Sequence, residues 1–287
     1  LKILNIVSKR TNFRIPYEKS LSLLSLLKDN SFHSDYKTLI LRIIKHHIDI
    51  EMSEEVVHEI YETAKQLLIH ENMSIQSLSL RLIRKLIQKY QFPISNDEIK
   101  LYYSYANSKY PGIAIDGLKF FMAYAQNKNN IDQIIEFNLV EQLLKISLFL
   151  NHKISQYAFY VFESISGQGE IGSKNVFENL TICNFFSYSF SIQTSILKII
   201  FNFAKYKIIN CLLQVSKEAF EFVTIFLESD IESCLLLSLN IIQILQNSLV
   251  SLFNTEITDL LESLAFHSNE QISCISKSLL DFIHPSQ

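Results

Sequence analysis

The sequence predicts an all-α solenoid, in which about seven helical hairpins follow one another with a period of about 39 residues. Three observations predict it. Glycine and proline are scarce, with 5 and 4 copies in 287 residues, whereas β-rich and α/β folds need both in their turns. Hydrophobic residues make up 48% of the chain, which is ample for a buried core. The third observation is a helical pattern of apolar residues that recurs at a constant spacing.

This pattern places apolar residues at positions i, i+3, i+7 and i+8, which lie on one face of an α-helix. Its first positions, which we call anchors, are spaced by 39, 39, 40, 38, 39 and 41 residues. Position i+8 is apolar in all seven copies, and position i+7 is apolar in all but one, where it is Ser238. We call the helices that carry the pattern anchor helices. The anchors are Tyr36, Ile75, Ala114, Ile154, Ile192, Ile231 and Ile272.

A second helix is expected before each anchor helix, because helix start signals occur at several of the required places. Ser95–Glu98 has the sequence of a capping box, and Ser53 precedes an acidic first turn. Ser268 with Gln271 is expected to open the last anchor helix, and Pro93 to separate two repeats. Each repeat is then a hairpin that cannot bury its apolar face alone, so neighbouring hairpins must stack.

One segment links the repeat to a known family. Ile199–Ala204, with the sequence I-I-F-N-F-A, resembles the A-L-x-N-L-A segment in the last helix of armadillo repeats. The chain therefore resembles the armadillo/HEAT family of α-solenoids over nearly all of its length after Arg14. The resemblance implies a right-handed α-α superhelix with a single repeat domain over residues 1–287. Because the first residue is Leu1, we expect this domain to be part of a longer chain. In that family the asparagine equivalent to Asn202 lines a concave groove and holds the main chain of a bound peptide.

The segment Gly167–Gly172 matches the pattern G-x-G-x-x-G. Phosphate binding by this pattern requires a preceding strand and a following helix within a βαβ unit. Here the preceding segment, Ile154–Ser166, belongs to an anchor helix. We therefore expect Gly167 to end that helix in a left-handed conformation and the remaining residues to form a loop between repeats. Nucleotide binding is the disfavoured alternative, and no cofactor is expected.

Histidines and cysteines are the residues of this sequence that could act as metal ligands or nucleophiles. His58 and Glu62 form a near match to the H-E-x-x-H motif and share a helix face, but no third metal ligand can be identified, so a solvated outer face is favoured. His47 is expected to be packed in the core, and Cys234 and Cys274 to be buried thiols. No spacing indicates a catalytic, cofactor-binding or metal-binding set, and the chain is not expected to be an enzyme.

The cysteine pattern and the hydropathy bear on the compartment. The chain has 4 cysteines without a C-x-x-C motif or a preceding secretory segment, which favours a reducing compartment, the cytoplasm or the nucleus. Ser233–Thr255 carries no charge and is long enough to span a bilayer. However, Asn240, Gln243 and Asn247 fall on one helix face, which is typical of an amphipathic helix. No transmembrane segment is therefore expected.

Charge is distributed unevenly along the chain. Residues 1–150 contain 19 basic and 16 acidic residues, net +3, and residues 151–287 contain 7 and 13, net −6, in agreement with the total of −3. In an armadillo-like stack, positions i+6, i+9 and i+10 of the anchor helices should point away from the core on the concave side. A basic end followed by an aromatic middle is typical of a groove for an extended, partly acidic ligand. The candidate partner-binding residues are Arg42, Lys45, His46, Arg81, Arg84, Lys85, Phe120, Tyr124, Tyr160, Lys198 and Asn202.

The alternative for these positions is an ordinary solvated face, with the aromatic residues packed between repeats. From the groove pattern, we expect a non-enzymatic scaffold or adaptor that binds an extended peptide or a protein along its concave face. A helical repeat protein that binds nucleic acid through its basic N-terminal half is the second hypothesis. The net charge of −3 and the few basic residues after Lys207 argue against a nucleic-acid partner.

Overall fold

The computed structural model is helical throughout its regular secondary structure and contains no strand in the residues that it describes. It forms two compact units, residues 1–130 and 131–287, which we call unit 1 and unit 2. The prediction of one domain over residues 1–287 stays a prediction. The described ranges are 17–29, 31–48, 52–90, 92–147, 151–180, 187–208, 217–249 and 253–284.

Unit 1 alternates helices of the two predicted sets. The anchor helices α2, α4 and α6 pack side by side in chain order, and each of α1, α3 and α5 packs against the anchor helix that follows it. A short 3-10 turn, Leu67–Ile69, extends α3. The helices are α1 (Tyr17–Lys28), α2 (Ser34–His47), α3 (Glu54–Gln66), α4 (Met73–Tyr90), α5 (Asn96–Ala106) and α6 (Pro111–Tyr124).

Unit 2 repeats the arrangement. Its anchor helices α9, α11, α13 and α15 also pack on one another in chain order. The second helix of its first repeat is divided into α7 and α8 at Asn138, which adopts a positive φ of 53°. The helices are α7 (Ile131–Glu136), α8 (Leu139–Ser147), α9 (His152–Ser166), α10 (Glu170–Asn179), α11 (Phe190–Lys205), α12 (Lys217–Ile225), α13 (Glu232–Leu249), α14 (Thr255–Leu264) and α15 (Glu270–Ile283).

The apolar pattern predicts the core of both units. All residues at position i+7 of the anchor helices are buried, each with 1% or less of its surface exposed. The polar exception, Ser238, satisfies its hydroxyl by donating a hydrogen bond to the carbonyl oxygen of Val223 at 2.7 Å. The anchors themselves are buried in five repeats, whereas Tyr36 and Ile231 are exposed. Burial therefore recurs more regularly at the middle of the anchor helices, at position i+7, than at their first positions.

The predicted helix starts agree with the structure, except that the cap of the last anchor helix lies one residue later than predicted. Ser95 and Glu98 form the predicted capping box, in which the Ser95 amide donates to Glu98 Oε2 at 2.8 Å. The prediction that Ser268 opens the last anchor helix is wrong by one residue, since Asn269 Oδ1 accepts the hydrogen bond from the amide of Gln271 at 3.0 Å. Asparagine is at least as good a helix cap as serine, and here it is the residue next to the first turn.

The glycine segment has a geometry that differs from the prediction. Gly167 ends α9 with φ −72°, in the right-handed region, so its expected left-handed conformation is wrong. Gly169 instead adopts a φ of 121° and precedes α10. Gly172 lies inside α10, where a Cβ atom would overlap the backbone carbonyl oxygen of Ile165. Backbone conformation and close helix packing therefore explain two of the three glycines, and a helix rather than a strand precedes them.

Two predictions about buried polar groups have different outcomes. His47 is buried, as predicted, and so is Cys234. Cys274 is exposed, and its predicted burial is wrong. The two cysteines are 40 residues apart while their anchors are 41 apart, so Cys234 lies at i+3 and Cys274 at i+2. One position rotates a side chain by about 100° around a helix. Cys183 and Cys211 lie outside the described residues.

The uncharged segment Ser233–Thr255 does not form one long helix. Its described part consists of α13, which ends at Leu249, the non-helical residues Phe253 and Asn254, and the first residue of α14. Among the described residues, no helix has the length and apolar character that crossing a membrane would require.

Candidate partner-binding surface

Helices α2 and α4 of unit 1 bring five predicted cations together. The pKa of the Lys45 ammonium is lowered, first by its partial burial and then by neighbouring positive charges. These neighbours are Arg81, Lys85, Arg84 and Arg42. Because these four cations are close enough to Lys45 to affect its ionisation, the five residues form one surface, which we call the basic face and define by them.

Two lysines of α4 reach back to the end of α2. Lys85 Nζ donates to the carbonyl oxygen of Lys45 at 2.9 Å, and Lys89 Nζ donates to that of Ile48 at 2.7 Å. The last carbonyl groups of a helix have no partner within the helix and carry its negative dipole end. Lys85 therefore caps α2 from the next repeat, which is a structural role in addition to its charge.

Arg81 is held by α6. Its Nε lies 3.0 Å from both carboxylate oxygens of Asp116, whose side chain is only 2% exposed. Ser77 Oγ also donates to this carboxylate at 2.5 Å. A buried carboxylate requires such compensation. Arg81 thus stabilises the packing of α4 on α6, and reversing its charge would disturb the fold as well as the basic face.

Arg42 and Lys45 differ from Arg81 in this respect. Arg42 is exposed and Lys45 is half-buried. Within the described ranges, no carboxylate forms an ion pair with either of them. His46 and Arg84 are also half-buried in the same two helices. Arg42 and Lys45 are therefore the members of the basic face whose charged groups stabilise the fold through no ion pair within the described ranges.

The aromatic residues of α6 do not lie on this surface. Phe120 and Tyr124 are 0% and 1% exposed, so the prediction that they point away from the core is wrong. The Phe120 ring packs on Tyr102 of α5 at 4.0 Å between centroids and stacks on Tyr124 at 5.9 Å. Burial also raises the pKa of Tyr124 to about 12. The two rings fill the interior of their own hairpin.

The candidate residues of unit 2 are half-buried and bonded to their own unit. Lys198 Nζ donates to Glu163 Oε1 at 2.9 Å, and Asn202 Nδ2 donates to Ser166 Oγ at 2.9 Å. Both residues lie on α11 and reach back to α9. Tyr160, on α9, is also half-buried. The asparagine that would hold a peptide main chain in the armadillo family therefore bonds to the preceding anchor helix here.

A cavity of about 1000 Å³ lies in unit 1 beside α3. His58 and Glu62, the near match to a metal motif, line it together with Tyr61, Lys65 and Phe92. Among the described residues, no group of three or more His, Cys, Asp or Glu side chains is placed to hold a metal ion. Tyr61 and Phe92 were not predicted from the sequence to line a site, although Tyr61 lies inside the near-match motif His58–Glu62.

Comparisons with known proteins identify the fold. No protein-family model and no curated protein sequence matches the chain. Among solved structures, an engineered protein of a structural genomics consortium is similar with a TM-score of 0.69 and 13% identity, over 92% of this chain and 68% of that one.

Designed repeat proteins are similar as well. A designed armadillo repeat protein in complex with the peptide (KR)4 has a TM-score of 0.54 and 15% identity, over 92% of this chain and 98% of that one. Computationally designed armadillo repeat proteins for modular peptide recognition give 0.54 and 13%, over 92% and 99%. At these identities the similarity concerns the fold alone. The chain has an all-α, armadillo-like solenoid fold.

Proposed function

We propose that the chain is a non-enzymatic interaction scaffold or adaptor, which binds an extended acidic segment of a partner protein at the basic face of unit 1. The convergence of cations around Lys45 is the observation that carries this proposal. Partial burial, and then repulsion from these cations, lowers the pKa of Lys45 and disfavours its charged form. Carboxylates of a partner would relieve this repulsion, and they would also be attracted during approach.

Arg42 and Lys45 are the residues on which binding should depend most. The other cations with described bonds, Arg81 and Lys85, are fixed by Asp116 and by the end of α2. Fixed cations still contribute potential, and their low mobility reduces the entropy lost on binding. The face thus combines two available charges with a rigid positive background.

The solved structures support a peptide as the partner, because the designed armadillo proteins are described as peptide-binding. One of them holds (KR)4, a peptide of basic residues. The basic face is itself positively charged and would repel a basic peptide. We therefore propose an acidic peptide segment as the ligand of this chain. The cytoplasm or the nucleus is the compartment that we propose from the cysteine pattern.

A binding experiment with paired variants tests the proposal. The full chain is titrated against a labelled extended peptide rich in Glu and Asp, and fluorescence anisotropy is recorded at several salt concentrations. Arg42→Glu/Lys45→Glu should weaken binding tenfold or more, since about 1.4 kcal/mol corresponds to a factor of ten. The control Lys100→Glu/Lys109→Glu, which makes the same charge change at exposed positions of unit 1, should bind as the wild type does.

The same titration with single-stranded RNA and duplex DNA tests the second hypothesis. The same cations would favour nucleic-acid binding. For such binding, the logarithm of the association constant should fall steeply and linearly with the logarithm of the salt concentration. Nucleic-acid binding with such a slope, in the absence of acidic-peptide binding, would overturn the proposal. Equal binding of the acidic peptide by both paired variants would also overturn it.

A further inference from the structure

We propose that the cavity beside α3 binds the guanidinium group of an arginine that a partner protein presents. This site is separate from the basic face and has the opposite charge. The proposal does not depend on the acidic partner proposed above.

The walls of the cavity come from three elements of unit 1. One wall is α3, and the other is the end of α4 together with the following segment that contains Phe92 and Pro93. The first turn of α5 contributes Glu98. A volume of about 1000 Å³ exceeds that of one guanidinium group, so an arginine side chain and part of its peptide can enter together.

Aromatic rings supply a flat surface in this cavity. Phe92 stacks on Tyr61 with 4.8 Å between centroids and 10° between planes, and His58 lies 6.4 Å from Phe92. Tyr90 lines the same cavity. Phe92 is half-buried, so its ring is supported on one side by Tyr61 and still partly accessible. A planar guanidinium stacks favourably on such a ring.

The charge of the cavity selects a cation. Glu54, Glu55, Glu62 and Glu98 line it against a single lysine, Lys65, which gives a formal charge of −3 with neutral histidine. An anion would be repelled. The positive dipole end of α3 does not change this result, because Glu54 and Glu55 already occupy its first turn.

Two of the glutamates are committed to the fold. Lys65 Nζ lies 2.7 Å from Glu62 Oε1 and 3.0 Å from Glu98 Oε1, and Tyr61 also donates to Glu98 at 3.0 Å. Burial opposes ionisation of Glu98, but the hydrogen bonds from Ser95, Lys65 and Tyr61 outweigh it and lower its pKa. Glu98 therefore stays a carboxylate and lines the cavity together with Lys65.

Glu54 and Glu55 are available for a ligand. Both are exposed, and within the described ranges neither forms an ion pair. Arginine suits this arrangement better than lysine, because its fork of N–H donors can bond to carboxylates while its plane lies on an aromatic ring. The structure thus combines a ring for stacking with two unpaired carboxylates at the rim.

The test uses three tripeptides that differ in one side chain. The full chain, labelled with ¹⁵N, is titrated with acetyl-Gly-Arg-Gly-amide and with its lysine and citrulline analogues, and chemical-shift changes are followed by NMR. We expect the arginine peptide to bind more tightly than the lysine peptide, and the uncharged citrulline peptide to bind weakest. Shifts should concentrate on α3 and on residues 92–98.

Variants separate this site from the basic face. Glu54→Gln/Glu55→Gln should weaken the arginine peptide about fivefold, as expected for the loss of two partly solvated charges. Phe92→Leu should remove the preference for arginine over lysine. The control Asp35→Asn/Glu71→Gln makes the same charge change elsewhere in unit 1 and should bind normally, and so should Arg42→Glu/Lys45→Glu.

Several outcomes would overturn the proposal. These are the absence of arginine binding, equal binding of the citrulline peptide, and unchanged binding by Glu54→Gln/Glu55→Gln. The last variant alters only exposed side chains, so it keeps the test decisive if Phe92→Leu loses its fold in circular dichroism. Loss of acidic-peptide binding has no bearing on these results, which makes the two proposals distinguishable.

Discussion

The anchor helices of unit 1 and unit 2 share one repeat but place different charges at equivalent positions. In unit 2, Lys198 at position i+6 of α11 forms an ion pair with Glu163 at position i+9 of α9. The equivalent positions in unit 1 are Arg81 and Lys45, which are both positive. Arg81 is the nearby charge that lowers the pKa of Lys45 most. The same pair of positions thus carries opposite charges in one unit and like charges in the other.

This difference separates fold from function within a single repeat pattern. A side chain at position i+6 of one anchor helix lies near position i+9 of the preceding anchor helix. The charges at these two positions decide whether the pair is attractive or repulsive. Unit 2 has the pair that stabilises its fold. Unit 1 retains a repulsive pair, and selection for stability alone would not favour it. The partner binding that we propose for the basic face would account for this pair.

The largest effect in this comparison is expected at Arg81. Arg81→Ala leaves the buried Asp116 carboxylate without its cation, and we expect the free energy of unfolding to fall by about 2 kcal/mol. Loss of a fully buried partner costs about 3 to 5 kcal/mol, and the Arg81 side chain is 45% exposed, which reduces the value. Urea unfolding followed by circular dichroism measures the change.

Two controls sharpen this result. Lys198→Ala removes the surface ion pair of unit 2 and should cost only about 0.5 kcal/mol. Asp116→Asn added to Arg81→Ala should recover part of the stability, because it removes the uncompensated charge. If Arg81→Ala and Lys198→Ala prove equally mild, Asp116 does not depend on Arg81 and the structural role assigned to this arginine is wrong.

The next effect converts unit 2 to the arrangement of unit 1. Glu163→Lys would face Lys198 with a like charge, and we expect a loss of about 1 kcal/mol in the free energy of unfolding. The double variant Glu163→Lys/Lys198→Glu restores an opposite pair and should recover most of that loss in a double-mutant cycle. No recovery would show that Glu163 stabilises unit 2 by contacts other than its ion pair.

The sequence predicts the core well, because the core follows from helical periodicity. Ile43, Phe121 and Leu279 share position i+7 in different repeats, and all are buried. Backbone conformation was less predictable. Gly169 rather than Gly167 adopts the positive φ. Only a few residues separate the end of α9 from the start of α10, so the sequence alone does not show which glycine takes this conformation.

The candidate site was predictable only in part. The basic face follows from the repeat register, which places Arg42, Lys45 and Arg81 near one another. Phe120 did not follow, because its burial depends on Tyr102 of another helix and not on its own position. The cavity beside α3 was missed for the same reason, since Tyr61 meets Phe92 across a distance in sequence that no local pattern encodes.

A third experiment converts unit 1 to the arrangement of unit 2. Lys45→Glu replaces repulsion from Arg81 by attraction, and we expect the free energy of unfolding to rise by about 0.5 kcal/mol. Lys45→Gln, which only removes the charge, should give a smaller gain. Both variants should weaken acidic-peptide binding. Destabilisation by both variants would mean that the Lys45 side chain contributes to the fold, and the trade-off between stability and binding would be refuted.

The smallest effect concerns His47, an ionisable residue at position i+11 of α2, where unit 2 has apolar residues such as Ile165 and Phe203. Burial, and then the charge of His46, lower the pKa of His47 below 6.5 in the folded state. The unfolded chain therefore binds more protons than the folded one as the pH falls through 6.5. Stability that is present above this pH should decline toward the lower folded-state pKa. His47→Leu should flatten this decline in urea titrations between pH 8 and pH 5. An unchanged pH dependence in His47→Leu would assign the acid sensitivity to other groups.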